Sequence, residues 1–252
     1  MSSRVSPVSV LSVACLCAAI LPTFSCSAKY AMVLRQDGSG DLSLSATLEP
    51  QTARLVANLA GFSGAAEPAA PLLAADVLAA SFRAASGVGS VSLRNPDGRS
   101  VEGTVRVTDL ERFLSASGER PADSALPPAQ FIRLERSASG GRLAVSLDRV
   151  SGAALLANLS PDIADYVSAL LAPVATGEKL SKADYLALVE SMYGKGVAAE
   201  IAAATVRASA ELPGEVVAVR GGKAEGRRVD FALPLVDVLV LERPILLEAR
   251  WK

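Results

Sequence analysis

Cys26 is the residue whose type and setting point most directly to chemistry. The chain holds three cysteines, Cys15, Cys17 and Cys26, and no histidine. Ahead of Cys26 stand one charge, Arg4, an apolar run from Val8 to Leu21, a helix-breaking Pro22 and the small Ser25. The run is too short to span a bilayer comfortably and fits the apolar region of a signal peptide. A small residue followed by cysteine is what lipoprotein maturation requires. The thiol takes up a diacylglyceryl group, the chain is cut on its N-terminal side, and fatty acyl chains such as palmitate hold the product to a membrane. The expected division is therefore a signal peptide over 1–25 and a single envelope domain over 26–252, with Cys26 as the lipidation site. Thr23 and Phe24 depart from the usual residues before such a cysteine. Ordinary secretion, with cleavage after Ser27 or Ala28, and an uncleaved anchor remain as alternatives. No cysteine follows Cys26, so no disulfide can staple the domain.

Other chemistries are excluded or thinly signalled. Without histidine there is no Ser-His-Asp or Cys-His catalysis and no imidazole metal ligand. Neither a phosphate-binding glycine loop nor a dinucleotide fingerprint occurs. Gly61-Phe62-Ser63-Gly64-Ala65 approaches a nucleophile elbow but lacks its last glycine. Asp37, Ser39 and Asp41 have alternate spacing that suits oxygen ligation of a cation. Leu42 and Leu48 stand where an EF-type loop needs Gly and Glu, so a hairpin turn is the simpler reading. Asp162 and Asp165 are a candidate acid–base pair, but acids in a first helical turn are explained by the helix dipole. Arg227-Arg228 offers contact with anionic headgroups or, more simply, a solvated strand start. Trp251, the single tryptophan, suits a core anchor. No cofactor or metal is expected, and the interspersed charges, net −1 over the whole chain, give no nucleic-acid footprint.

The elements that must position these residues follow from periodicity and turn chemistry. Tyr30–Leu34 and the alternation of Leu42, Leu44, Ala46 and Leu48 predict a hairpin across Asp37–Gly40. Pro50 opens a helix carrying Leu55, Val56 and Leu59, and a second helix carries Leu73, Val77, Leu78 and Phe82. Strands around Val91 and Leu93, then Val101, Val105 and Val107, meet across Asn95–Gly98. Asp109 caps a brief helix through Phe113. Ile132 and Leu134 pair with Leu143, Val145 and Leu147. Ser160-Pro161-Asp162 starts a helix ended by Pro173, and Ser181 with Asp184 resembles a capping box for the next, stopped by Gly194. Val206, Ala208 and Ala210 alternate on a strand leading to a Pro213-Gly214 turn, where positive φ is expected at Gly214. Glu215–Arg220 and Arg227–Leu233 flank Gly221-Gly222 as a hairpin, and Ile245 to Trp251 form a last strand. The fold class is α+β, a mainly antiparallel sheet with a helical hairpin insertion near 150–200.

The two ends of the chain carry a resemblance. LRQDGSGDLSLSATL is similar to the opening strand–turn–strand of LppM-type envelope lipoproteins. VRASAELPGEVVAVRGGKAEGRRVDFALPL resembles their closing pattern, at Leu212, Pro213, Gly214, Gly222, Gly226 and Phe231. ADYLALVESMYGKGVAAEI, LPLVDVLVLERP and the relaxed residues before Cys26 resemble spirochaete-type lipoproteins. The resemblance implies an envelope location, anchored by lipid to a bacterial membrane, and supplies no catalytic residues. The expectation is a non-enzymatic structural or protein-interaction role with an envelope protein as partner. The alternative is a binding module for an apolar or lipid-like ligand, lined by Tyr166, Tyr185 and Met192 from the helices and by Val206, Ala208 and Ala210 from the sheet. A hydrolase using carboxylates alone is the third class.

Overall fold

In the computed structural model the described residues are 26–62, 71–116, 131–156, 170 and 172–252. The first strands form where the period-two pattern places them. β1 (Cys26–Leu34) and β2 (Gly40–Leu48) pair antiparallel, with Tyr30 opposite Leu44 and Lys29 opposite Ser45. Their even-numbered residues, Ala28, Tyr30, Leu44 and Ala46, turn into the core, and the odd-numbered ones face out. In the connecting turn Asp37 Oδ1 accepts the backbone N–H (2.9 Å) and the hydroxyl (2.7 Å) of Ser39, and Gly38 takes φ +86°. β3 (Val88–Arg94) and β4 (Ser100–Val107) form the next hairpin, and β4 pairs with β2. α1 (Pro50–Phe62), α2 (Ala75–Ala84) and α3 (Leu110–Ala116) follow their respective signals. Asp109 Oδ1 accepts the N–H of Arg112 at the start of α3 (2.9 Å). Leu73 precedes α2 rather than lying in it; the helix is entered where Asn95 Oδ1 accepts the Ala75 N–H (3.0 Å).

The expected single sheet is two. A seven-stranded sheet has the order β3-β4-β2-β1-β7-β10-β9, with β7 (Thr205–Glu211), β9 (Gly222–Glu225) and β10 (Arg228–Pro234). A four-stranded sheet has the order β5-β6-β11-β8, with β5 (Ile132–Ser137), β6 (Gly140–Leu147), β8 (Val216–Arg220) and β11 (Ile245–Trp251). Every pairing is antiparallel except β1 with β7. One cluster of buried side chains runs through both sheets and the helices.

Gly221-Gly222 is therefore not a hairpin turn. At Gly221, φ +75°, the chain leaves β8 in the small sheet and enters β9 in the large one, and the hairpin turn falls later at Gly226-Arg227. A side chain is excluded from both glycines. A Cβ on Gly221 would lie 2.8 Å from the Leu246 carbonyl oxygen, and one on Gly222 would lie 2.5 Å from the Phe231 ring. Gly214 is likewise required by close approach and not by a positive φ, since a Cβ there would stand 1.8 Å from the Lys252 carbonyl oxygen.

The described residues of 150–200 are mostly helical, and they do not confirm a helical hairpin. The expected first arm, 161–172, falls almost wholly outside the described residues. α4 (Arg149–Leu156) precedes it, and Pro173 opens α5 (Pro173–Thr176). Proline lacks an N–H, and the first helical position needs none. α6 (Lys182–Tyr193) begins at Ser181, whose Oγ accepts the Asp184 N–H (3.1 Å) and donates to the Asp184 carboxylate (2.7 Å). Gly194, φ +89°, ends α6, and α7 (Lys195–Ala203) starts at once. The end of the chain holds a helix that alternation did not signal. α8 (Leu235–Val240) buries five of its six residues and contacts β10, α5, α6 and α7. Its far end closes at Leu241, a non-glycine residue at φ +46°, whose N–H reaches the Asp237 carbonyl (2.9 Å). No helix among the described residues is long and apolar enough to cross a membrane.

Candidate functional site

The outer face of the seven-stranded sheet carries a half-open trough of about 840 Å³. Its floor is built from small side chains in adjacent strands, Ala31 of β1, Ser43 and Ser45 of β2, Ser209 of β7 and Ala232 of β10. Its cations come from four strands. Lys29 and Arg207 are register partners across the parallel β1–β7 pair, so two positive side chains stand side by side. Lys223 is the register partner of Asp230. Asp230 is held instead by Arg228, whose Nε lies 3.1 and 3.0 Å from its two carboxylate oxygens and whose second guanidinium nitrogen lies 2.8 Å from the first. That clamp raises the Arg228 pKa above its ordinary value. Lys29, Arg207 and Lys223 have no carboxylate within ion-pair distance among the described residues.

The residues expected to line an apolar cavity differ in their exposure. Tyr166 lies outside the described residues. Tyr185 is fully buried, and the loss of water around its hydroxyl pushes its pKa far up. Met192, seven residues along α6, is 58% exposed. Ala210 is buried, and Val206 and Ala208 are half-buried on the inner face of β7. Ala208 has Tyr30 as its register partner on one side and Phe231 on the other. A small side chain flanked by two aromatic ones is a way of filling a sheet face, because the rings take the volume the methyl group leaves.

Four carboxylates are tied into local hydrogen bonds. Asp37, Asp97 and Asp148 are each held below the ordinary carboxylate range by hydrogen bonds within their turns, from Ser39, from Arg99 and from Ser151. Glu248, on the outer face of the small sheet, accepts from Arg142 (2.8 Å) and Arg250 (2.5 Å), which bring it down to about 2. General acid catalysis needs a carboxyl group raised toward neutrality, the opposite direction. Asp41 pairs with Arg35 rather than joining Asp37 and Ser39 about a cation. Among the described residues no group of three or more Asp, Glu or Cys side chains is arranged to hold a metal ion. Asp162, Asp165, Ser63, Gly64 and Ala65 lie outside the described residues. Arg227 donates to the Leu212 carbonyl (3.0 Å) and pairs with Glu211 (3.4 Å), so the two arginines of the Arg227-Arg228 step have different partners. Trp251 is buried against Gly141, where a Cβ would stand 2.3 Å from its ring.

Sequence reading singled out Arg228 and Ala208 but missed Lys29, Arg207 and Lys223. Each sits at an outward position of an alternating strand, where a cation is unremarkable. Only the parallel β1–β7 pairing brings two of them together. Cys26 is the first residue of β1, opposite Leu48, and Ala28, two residues on, is already fully buried.

No family model matches the chain, and no curated protein matches it. Among solved structures, the NMR structure of the folded domain of the Mycobacterium tuberculosis LppM protein is similar, at 14% identity over 90% of each chain, with a TM-score of 0.40. A likeness of that strength carries no function with it.

Proposed function

We propose that the protein is an envelope lipoprotein, anchored through acyl chains on Cys26, whose domain works by contact and not by catalysis. The observation that carries this reading is the place of Cys26. It follows a signal-like apolar segment, it is the last cysteine in the sequence, and it opens β1 with no linker before the first buried residue. An acyl group there would hold the sheet itself at the bilayer. Multiple acylation is needed for firm retention, since a single chain binds only marginally. The lowered carboxylates and the filled face around Ala208 favour contact over the hydrolase and enclosed-ligand alternatives. The test is metabolic labelling with a fatty-acid analogue in the producing cell, with Cys26→Ala as the comparison. Label on Cys26 and release of the variant from the membrane fraction are expected. An unlabelled Cys26 in the mature protein refutes the reading.

A further inference from the structure

We infer that the trough on the outer face of the seven-stranded sheet is a docking surface for the anionic headgroups of the bilayer that holds Cys26. This rests on the anchoring reading for its geometry, and on the trough's own charges for its chemistry. Lys29 and Arg207 are adjacent in register, and Lys223 lies across the floor with its register partner, Asp230, already engaged by Arg228. Like charges placed side by side on a sheet without a counterion are unfavourable, and an anion between them removes the cost. Carboxylates elsewhere on this face are already paired, Asp41 with Arg35, Glu102 with Arg94 and Glu211 with Arg227, and Glu225 shares the row of Arg228. Three cations without an ion pair, Lys29, Arg207 and Lys223, thus meet at the trough, while Arg106 stands apart on β4, and the small floor residues let phosphate oxygens approach the three.

Position selects the bilayer as the source of the anion. Lys29 is three residues from Cys26, a distance of roughly 10 Å along an extended strand. An acylated Cys26 brings the trough to the interface, within about one Debye length of the headgroups. Lipid chains at the start of β1 and a basic surface three residues along it then act as two membrane signals, which is what stable peripheral attachment requires.

The experiment separates this surface from the question of acylation in the cell. Cys26 is the sole cysteine of residues 26–252, so its thiol can be coupled to a maleimide-bearing lipid in vesicles. One set of vesicles is phosphatidylcholine, and the other adds phosphatidylglycerol. Lysines are then modified with an amine-acylating reagent and read by mass spectrometry, with Lys195, exposed on α7, as the internal control. In anionic vesicles Lys29 and Lys223 should be protected about fivefold, the effect expected for one basic residue at a charged surface. Lys195 should be unchanged, and raising salt to about 1 M should remove the protection. In Arg207→Glu the protection of both lysines should fall, with circular dichroism confirming the fold. Equal labelling in the two kinds of vesicle overturns the inference. So does protection that includes Lys195, or protection of Lys29 that survives Arg207→Glu and reflects only its nearness to the tether. Absence of acyl label on Cys26 in cells would sink the anchoring reading and leave this measurement standing.

Discussion

Glu200 holds two helices together across a wide gap in sequence, and its removal has a calculable effect. Its Oε1 accepts the backbone N–H of Gln51 (2.9 Å), and its Oε2 accepts both the backbone N–H (2.9 Å) and the hydroxyl (3.0 Å) of Thr52. A side chain of α7 thus caps the first turn of α1, which has no acid of its own there. In Glu200→Ala, water can replace the carboxylate at Gln51, which is exposed, but not readily at Thr52, which is fully buried. Loss of a cap costs about 0.5–2 kcal/mol, and a buried donor left unsatisfied costs about 1–3 kcal/mol. Because the two describe overlapping losses, the expected destabilisation is about 2 kcal/mol. At about 2–4 °C per kcal/mol for a chain of this size, Tm should fall by about 4–8 °C. Differential scanning calorimetry on the purified protein reads this directly. The double variant Glu200→Ala with Thr52→Val supplies the internal check. Valine deletes one of the contacts that Glu200 makes, so Thr52→Val should cost less beside Glu200→Ala than in the parent. A fall in Tm of under about 1 °C for Glu200→Ala, or additive losses in the double variant, would show that the cap does not fasten α1 to α7.

Three further substitutions probe other parts of the fold. Gly214→Val should destabilise the domain by well over ~1 kcal/mol, because its side chain would meet the Lys252 carbonyl and break the paired backbone bonds of Glu215 and Lys252; unchanged thermal stability refutes this. Ala208→Leu should overpack the inner face between Tyr30 and Phe231 and cost ~1–3 kcal/mol, whereas an unshifted melting curve would reveal free space and favour an apolar ligand. Glu248→Gln should flatten the acid limb of the stability curve. A carboxyl held near 2 against an ordinary 4.5 contributes stability that is complete above about pH 4.5 and is lost as pH falls toward 2, so parent and variant should converge there; parallel curves down to pH 2 would refute the assignment.

Local structure was legible where the signal was local. The hairpins β1–β2, β3–β4 and β5–β6 follow from alternation bounded by turn residues, and α6 follows from its Ser181 cap and Gly194 stop. α8 was not legible, because Leu235 to Val240 has a single polar residue, Asp237, and so short an apolar run sets no periodicity to choose helix over strand. Its surroundings decide, since β10, α5, α6 and α7 pack against it and bury its five apolar residues. The two-sheet division was hidden for a related reason. Gly221-Gly222 suits a tight turn and a corner equally well, and the choice depends on β8 finding β11 while β9 finds β10.

By itself the sequence determined the chemistry in reach: a chain without histidine, with a last cysteine at 26 behind a signal-like segment, and with strands whose faces are set by a period of two. Tertiary structure alone decided which outward-facing residues become neighbours. Lys29 and Arg207 are far apart in the chain, and nothing local in either strand names its partner. Strand pairing is a non-local choice made by the whole buried face, here Ala28, Tyr30, Leu44, Ala210 and Phe231 packing together, and the cations on the other face follow that choice.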